Sequence, residues 1–171
     1  MVVIAGSPRK GRYSDRIASH FAELTGSSLI FARDLNVGPC RACNYCKGKG
    51  DGECIQKDDM GKVINSIMNE DGIALVSPVY WWQTTGQIKL VIDRLYSIRE
   101  GALRGKRLVV IMNGEAEASD AEYRILREQF SEMASYLGME YSFLGVGTPE
   151  GDDTALEVAL KAVGDLALTV K

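Results

Sequence analysis

MVVIAGSPRKGRYSDRIASHF, residues 1–21, carries the clearest architectural signal in the chain. An apolar run from Met1 to Ala5 stops at Gly6, a basic loop follows, and from Ser14 the apolar residues Ile17, Phe21 and Leu24 return at helical spacing. A short β-branched run closed by glycine reads as a buried strand, and a period of three to four reads as an amphipathic helix. The segment is therefore a strand that turns through a tight loop directly into a helix.

The same unit recurs along the chain. Apolar runs at Ser28 to Ala32, Gly72 to Ser77, Arg107 to Met112 and Glu140 to Val146 predict four more strands. Helical stripes follow: Met60, Val63, Ile64 and Ile67; Ile88, Val91, Ile92 and Leu95; Tyr123, Leu126, Phe130, Met133 and Leu137; and Leu156, Leu160, Val163, Ala167 and Val170. Ser14, Asp58, Thr85, Ser119 and Asp153 stand where a side-chain oxygen could accept from the first free amides of each helix. Strict alternation demands crossover connections, and right-handed crossovers place helices on both faces of a parallel sheet. The expected fold is α/β, a doubly wound five-stranded parallel sheet in the flavodoxin-like order 2-1-3-4-5. Ligands in such sheets bind beyond the carboxyl ends of the strands where the order reverses, so the loops after the first, third and fourth strands are the place to look.

Composition bounds the rest. With 171 residues, 46% of them apolar, the chain is expected to form a single domain, 1–171, with a core that needs no disulfides. A formal charge of −3 offers no basic field for nucleic acid. No apolar run approaches the roughly 20 residues that span a bilayer, and an apolar run followed by a basic loop is the reverse of a signal peptide. No membrane partner and a cytoplasmic location are expected.

All four cysteines, Cys40, Cys43, Cys46 and Cys54, fall in one glycine-rich insertion loop, about residues 36–57, at C-x2-C-x2-C-x7-C spacing. Four soft thiolate ligands in so short a span argue for a metal or an iron-sulfur centre. Zinc held by all four, and reduced thiols without metal, are the alternatives. The first loop, Gly6 to Ser14, combines small residues, the hydroxyls of Ser7 and Ser14, the cations Arg9, Lys10 and Arg12, and a helix entry, which together suit a phosphate. It matches neither G-x-G-x-x-G nor G-x-x-x-x-G-K-[ST]. The loop after the third strand holds both tryptophans, Trp81 and Trp82, and offers apolar cover for a flat heteroaromatic ring; the alternative is that they fill a core or subunit interface. Asn113, Gly114, Glu115 and Ala116 add a short polar loop on the same rim.

Taken together, GSPRKGRYS, CRACNYCKGKGDGECIQKDDM and SPVYWWQTTGQIKLVIDRLYS resemble the NADPH-dependent FMN reductase-like flavodoxin family, in particular its iron-sulfur flavoprotein branch. The resemblance implies FMN held at the crevice, with Ser7, Arg9 and Ser14 at the phosphate, Lys10 beside them, Pro78, Val79, Tyr80 and Trp81 along the isoalloxazine, and Asn113 and Gly114 near its polar edge. It also implies a 4Fe-4S cluster ligated by Cys40, Cys43, Cys46 and Cys54, and a homodimer or homotetramer. One departure stands out: the family's phosphate loop usually continues Asn-Gly-Asn-Thr, where this chain has Gly11, Arg12, Tyr13 and Ser14. The expected function is an FMN-dependent oxidoreductase that couples two-electron donors to one-electron partners, either small molecules or proteins, with NAD(P)H a candidate co-substrate and ferredoxin the alternative donor. The alternatives are an NAD(P)H-dependent FMN or quinone reductase without a cluster, and a non-enzymatic zinc or thiol module. No proton-transfer residue is implied; His20, the only histidine, lies beside core-facing Phe21 and reads as a surface or structural histidine. Asp58 and Asp59, at a helix start, read as a cap and a dipole partner.

Overall fold

In the computed structural model, which describes residues 1–170, five parallel strands pair in the order β2-β1-β3-β4-β5. They are β1 Val2–Ala5, β2 Ser28–Phe31, β3 Gly72–Pro78, β4 Arg107–Gly114 and β5 Glu140–Gly147. The helices are α1 Tyr13–Thr25, α2 Met60–Asn69, α3 Gly86–Arg94, α4 Ala121–Leu137 and α5 Asp153–Thr169. The last position of the expected domain, Lys171, lies outside the described residues.

Successive side chains of a strand point to opposite faces, so a strand covered on both sides must be apolar throughout. Val2 and Ile4 of β1, Ile73 and Leu75 of β3, and Leu108 and Val110 of β4 pack with Met60 and Val63 of α2, Ile88 of α3, and Leu126 and Phe130 of α4. The alternate residues, Val3, Ala5, Ala74, Val76, Val109 and Ile111, pack with Ile17 and Phe21 of α1 and Leu156 and Val163 of α5. Phe21, Leu75 and Leu126 have no exposed surface, and each contributes about 2 kcal/mol by burial.

Strands β3 and β4 run further than the apolar runs indicate, because parallel pairing continues through Pro78 opposite Asn113 and Gly114 opposite Gly147. Their ends thereby carry candidate site residues on backbone fixed by the sheet. Of the expected caps, Thr85 holds its place, its Oγ1 accepting from the Ile88 amide at 3.4 Å, and Asp58 Oδ1 accepts from the first amide of α2, that of Met60, at 3.2 Å. Asp152 rather than Asp153 caps α5, through the Ala155 amide at 2.9 Å. Ser14 lies inside α1, and the residues flanking α2 and α4 are Asp59 and Asp120. Between Asp152 and Asp153 it is the backbone conformation, invisible in the composition, that selects the capping residue.

Between Leu35 and Met60 the chain makes no regular element beyond the short turn Tyr45–Lys47. Among the described residues no helix is long and apolar enough to cross a membrane.

Candidate functional site

A cleft of about 380 Å³ opens over the carboxyl ends of the central strands. Arg9, Ser14, Pro78, Val79, Tyr80, Asn113 and Gly114 all line it, joined by Arg12, Thr148, Glu122 and Glu150. Ser7, Lys10 and Trp81 do not.

The cleft rests on buried hydrogen bonds. Ser14 Oγ donates to Asn113 Oδ1 at 2.8 Å, and Asn113 Nδ2 donates to Thr148 Oγ1 at 3.0 Å. The Val79 amide donates to the Asn113 carbonyl at 2.8 Å, and the Thr148 amide to the Gly114 carbonyl at 2.6 Å, so the ends of β3, β4 and β5 are tied side by side. Thr85 Oγ1 donates to the Gly6 carbonyl at 2.7 Å and pins the start of the first loop. A Cβ at Gly6 would stand 2.2 Å from Ile88 Cγ1, so only glycine lets this loop pass so close to α3.

The first loop is held from within. Ser7 Oγ accepts from the Arg9 amide at 3.2 Å, and the Gly11 amide, at φ 68°, donates to Asp15 Oδ2 at 2.7 Å. Arg33 Nη1 donates to Asp15 Oδ1 at 2.7 Å and to the Ser7 carbonyl at 3.1 Å. Asp15 and Arg33 therefore shape the loop, although neither stood out in the sequence; an acidic residue in the first turn of a helix after a glycine loop was the available sign. Lys10 reaches away toward Asp34, 4.0 Å distant. Arg9 Nη1 donates to Glu150 Oε2 at 3.1 Å, and Arg12 pairs with the other oxygen of the same carboxylate. The hydrogen bond from Arg9, then the charges of Arg12 and Arg9, hold the Glu150 carboxyl below its usual range. Glu150 sits on the loop after β5, and the sequence reading did not include it.

Beyond Tyr80 the chain makes a two-residue hairpin, the Tyr80 amide donating to the Gln83 carbonyl at 2.9 Å and the Gln83 amide returning at 3.0 Å. Trp81 and Trp82 occupy its turn with φ of 48° and 58°. Left-handed backbone at both positions normally selects Asn-Gly, and a bulky residue there costs about 1–3 kcal/mol. Neither indole enters the core: Trp81 is 88% exposed and Trp82 50%. With Val79, Tyr80 and Glu122 they line a shallow hollow beside the cleft. Burial, reinforced by the charge of Asp120, raises the Glu122 carboxyl.

The four cysteines are all free thiols, Cys40 and Cys43 exposed, Cys46 and Cys54 half-buried. They line one small hollow together with Arg94. Among the described residues no three His, Cys, Asp or Glu side chains are grouped closely enough to close on a metal ion. The loop is tied down at its edges. Arg94 Nη1 donates to Asp58 Oδ2 at 2.7 Å and to the Gly38 carbonyl at 2.9 Å, and Nη2 donates to Asp58 Oδ1 at 3.0 Å. Asp58 also accepts from the Gly38 and Met60 amides, and Asp59 from Asn36. Burial alone would raise the Asp58 carboxyl, but the Arg94 hydrogen bond and the two amides outweigh it and hold it below its usual range. Lys47, within the same loop, donates to the Ile98 carbonyl at 3.0 Å and lies over the Tyr96 ring.

Comparison with known proteins places these features in context. A family profile described as NADPH-dependent FMN reductase matches residues 1–144. An iron-sulfur flavoprotein of Archaeoglobus fulgidus is 35% identical over 99 residues, covering 55% of this chain and 44% of that protein. Another iron-sulfur flavoprotein, from Methanocaldococcus jannaschii, is 29% identical over 189 residues, covering 100% of this chain and 97% of that protein. The chain spans about half the length of several of the curated relatives it matches. Among solved structures, an FMN-dependent NADH-azoreductase from Bacillus anthracis in complex with FMN superposes with a TM-score of 0.76 at 18% identity, over 98% of this chain and 97% of that one, a likeness of fold.

Proposed function

The chain belongs to the NADPH-dependent FMN reductase family, and from that membership we propose that it is an FMN-binding oxidoreductase taking electrons from NAD(P)H, with a 4Fe-4S cluster in the cysteine loop. The observation that carries the proposal is the cleft itself: three strand ends and a cationic loop converge where the strand order reverses. Arg9 and Arg12 and the opening turn of α1 would bind the phosphate, where a helix start already favours an anion, while Ser14 gives its proton to Asn113 and braces the site from below. Pro78, Val79 and Tyr80 would flank the ring, with Asn113 and Gly114 at its polar edge. The Ser14–Asn113–Thr148 chain orients Asn113, so that a donor or acceptor aimed at the ring is fixed before binding. Trp81 and Trp82, held outward on a strained turn, would cover the outer face of the site and exclude water from it.

For the cysteine loop the fit rests on its donor set. Four thiols share one hollow with a buried guanidinium whose Nε has no hydrogen-bond partner. Cys40, Cys43, Cys46 and Cys54 would hold the cluster, and a flavin paired with such a centre exchanges electrons both in pairs and singly. The chain's own part is to position and to set charge.

Titration of purified protein with FMN tests the flavin site. Quenching of FMN fluorescence and absorbance bands near roughly 370 and 450 nm are expected, and both are to be lost in the double variant R9A/R12A. No quenching in excess FMN sinks the proposal. Iron and acid-labile sulfide in anaerobically prepared protein test the cluster separately; their absence beside bound FMN leaves a plain NAD(P)H-dependent flavin reductase.

A further inference from the structure

Arg94 heads the fully buried side chains by size, with 1% of its side chain exposed. A guanidinium is rarely taken out of water without cause, and an apolar residue of similar volume would fill the space beside Gly38 and Asp58 at least as well. Its pairing with Asp58 explains part of the placement, because the pair fastens both the amide and the carbonyl of Gly38 at the entry to the cysteine loop. Two features go beyond an anchor. Nε is buried with no acceptor, although buried donors almost always find one. The same guanidinium lines the hollow that the four thiols line. Of the other cations of this region, Lys47 is committed to the Ile98 carbonyl and Arg99 to Asp51, while Arg41 lines the hollow from its exposed side.

We propose that Arg94 is a positioning and charge-compensating residue for the four-thiol centre, its spare Nε–H and fixed positive charge raising the reduction potential of a cluster held by Cys40, Cys43, Cys46 and Cys54. The inference rests on the iron-sulfur reading above. Reduction adds negative charge to an already anionic centre, and a fixed cation beside it, shielded from water, stabilises the reduced form more than the oxidised one. Asp58 tempers that field from the other side of the guanidinium.

Redox titration of the anaerobically reconstituted full chain, following cluster and FMN absorbance in one sample, distinguishes this role from a structural one. Arg94→Gln is expected to lower the cluster potential by about one decade in the reduction equilibrium, about 59 mV for a one-electron couple, with the FMN potential unchanged. Arg94→Lys, which keeps the charge, is expected to recover most of the shift. Asp58→Asn, which loosens the same anchor but leaves the cation less neutralised, is expected to raise the potential. A loop merely loosened would move the Arg94→Gln and Asp58→Asn variants in the same direction. If they move together, or if neither moves, the proposal is overturned; should Arg94→Gln fail to fold, Asp58→Asn and Arg94→Lys decide it by the same signs. Wild-type protein that takes up no iron or sulfide overturns the iron-sulfur reading, and this proposal with it. A cluster indifferent to Arg94 overturns this proposal alone.

Discussion

In the cleft above the sheet, position comes from the backbone. Pro78, Asn113 and Gly114 stand on strand ends that are hydrogen-bonded to one another, and Ser14, Asn113 and Thr148 complete each other's hydrogen bonds under the surface. The cysteine hollow has no such frame. Its thiols sit on more than twenty residues of irregular chain with Ala42, Asn44 and Asp51 at positive φ, fastened by ion pairs and side-chain contacts at a few points. One region is preorganised by the same parallel pairing that builds the fold; the other depends on single side-chain anchors, and above all on Asp58 with Arg94.

From that contrast the largest effect belongs to the anchor. Asp58→Ala leaves a buried guanidinium unpaired and is expected to cost about 3–5 kcal/mol, lowering Tm by about 10 °C while FMN affinity of the folded protein stays as it was. Loss of flavin binding in step with stability would show that the two regions are one. The pH dependence follows from the same pair. The folded-state Asp58 carboxyl lies below its usual 3.8, so its contribution is full above that pH and is lost as pH falls through the lowered value. The Tm difference between wild type and Asp58→Asn should accordingly shrink on acidification below about pH 4.

The next largest effect tests the preformed cleft. Gly6→Ala forces a Cβ to within 2.2 Å of Ile88 Cγ1, an overpacking worth about 1–3 kcal/mol, and should weaken FMN binding as the first loop lifts; unchanged affinity would mean that the loop is softer than described. Glu150→Gln is a smaller probe. It removes the carboxylate that pairs with both Arg9 and Arg12, so FMN should bind a few-fold more tightly at low salt, and the gain should fade as salt is added. The smallest effect is at the hairpin, where Trp81→Asn replaces a bulky residue at φ 48° with one that tolerates it. A rise in Tm of a few degrees is expected, together with any change in FMN affinity that the exposed indole contributes.

Much of the fold was legible in the sequence because strand and helix announce themselves locally: a buried parallel strand must be apolar at every position, as in Ile73 to Val76, and a helix must repeat its apolar face, as from Tyr123 to Leu137. The candidate cleft residues after the strands were legible for the same reason, since topology alone sends those loops to one edge. Cap positions slipped by a residue or two where neighbours of similar chemistry competed, as at Asp152 and Asp153.

By itself, then, the sequence determined the order of elements, the two apolar faces of the sheet and the crowding of four thiols into one loop, all of which depend on neighbours a few residues apart. Only the tertiary structure decided that Asp15 meets Arg33, that Glu150 bridges Arg9 and Arg12, that Asp58 buries its charge against Arg94, and that both tryptophans face outward. Charge pairing acts through space and leaves no periodic trace in the chain, so partners 18, 36 or 141 residues apart become visible only when the sheet has brought them together.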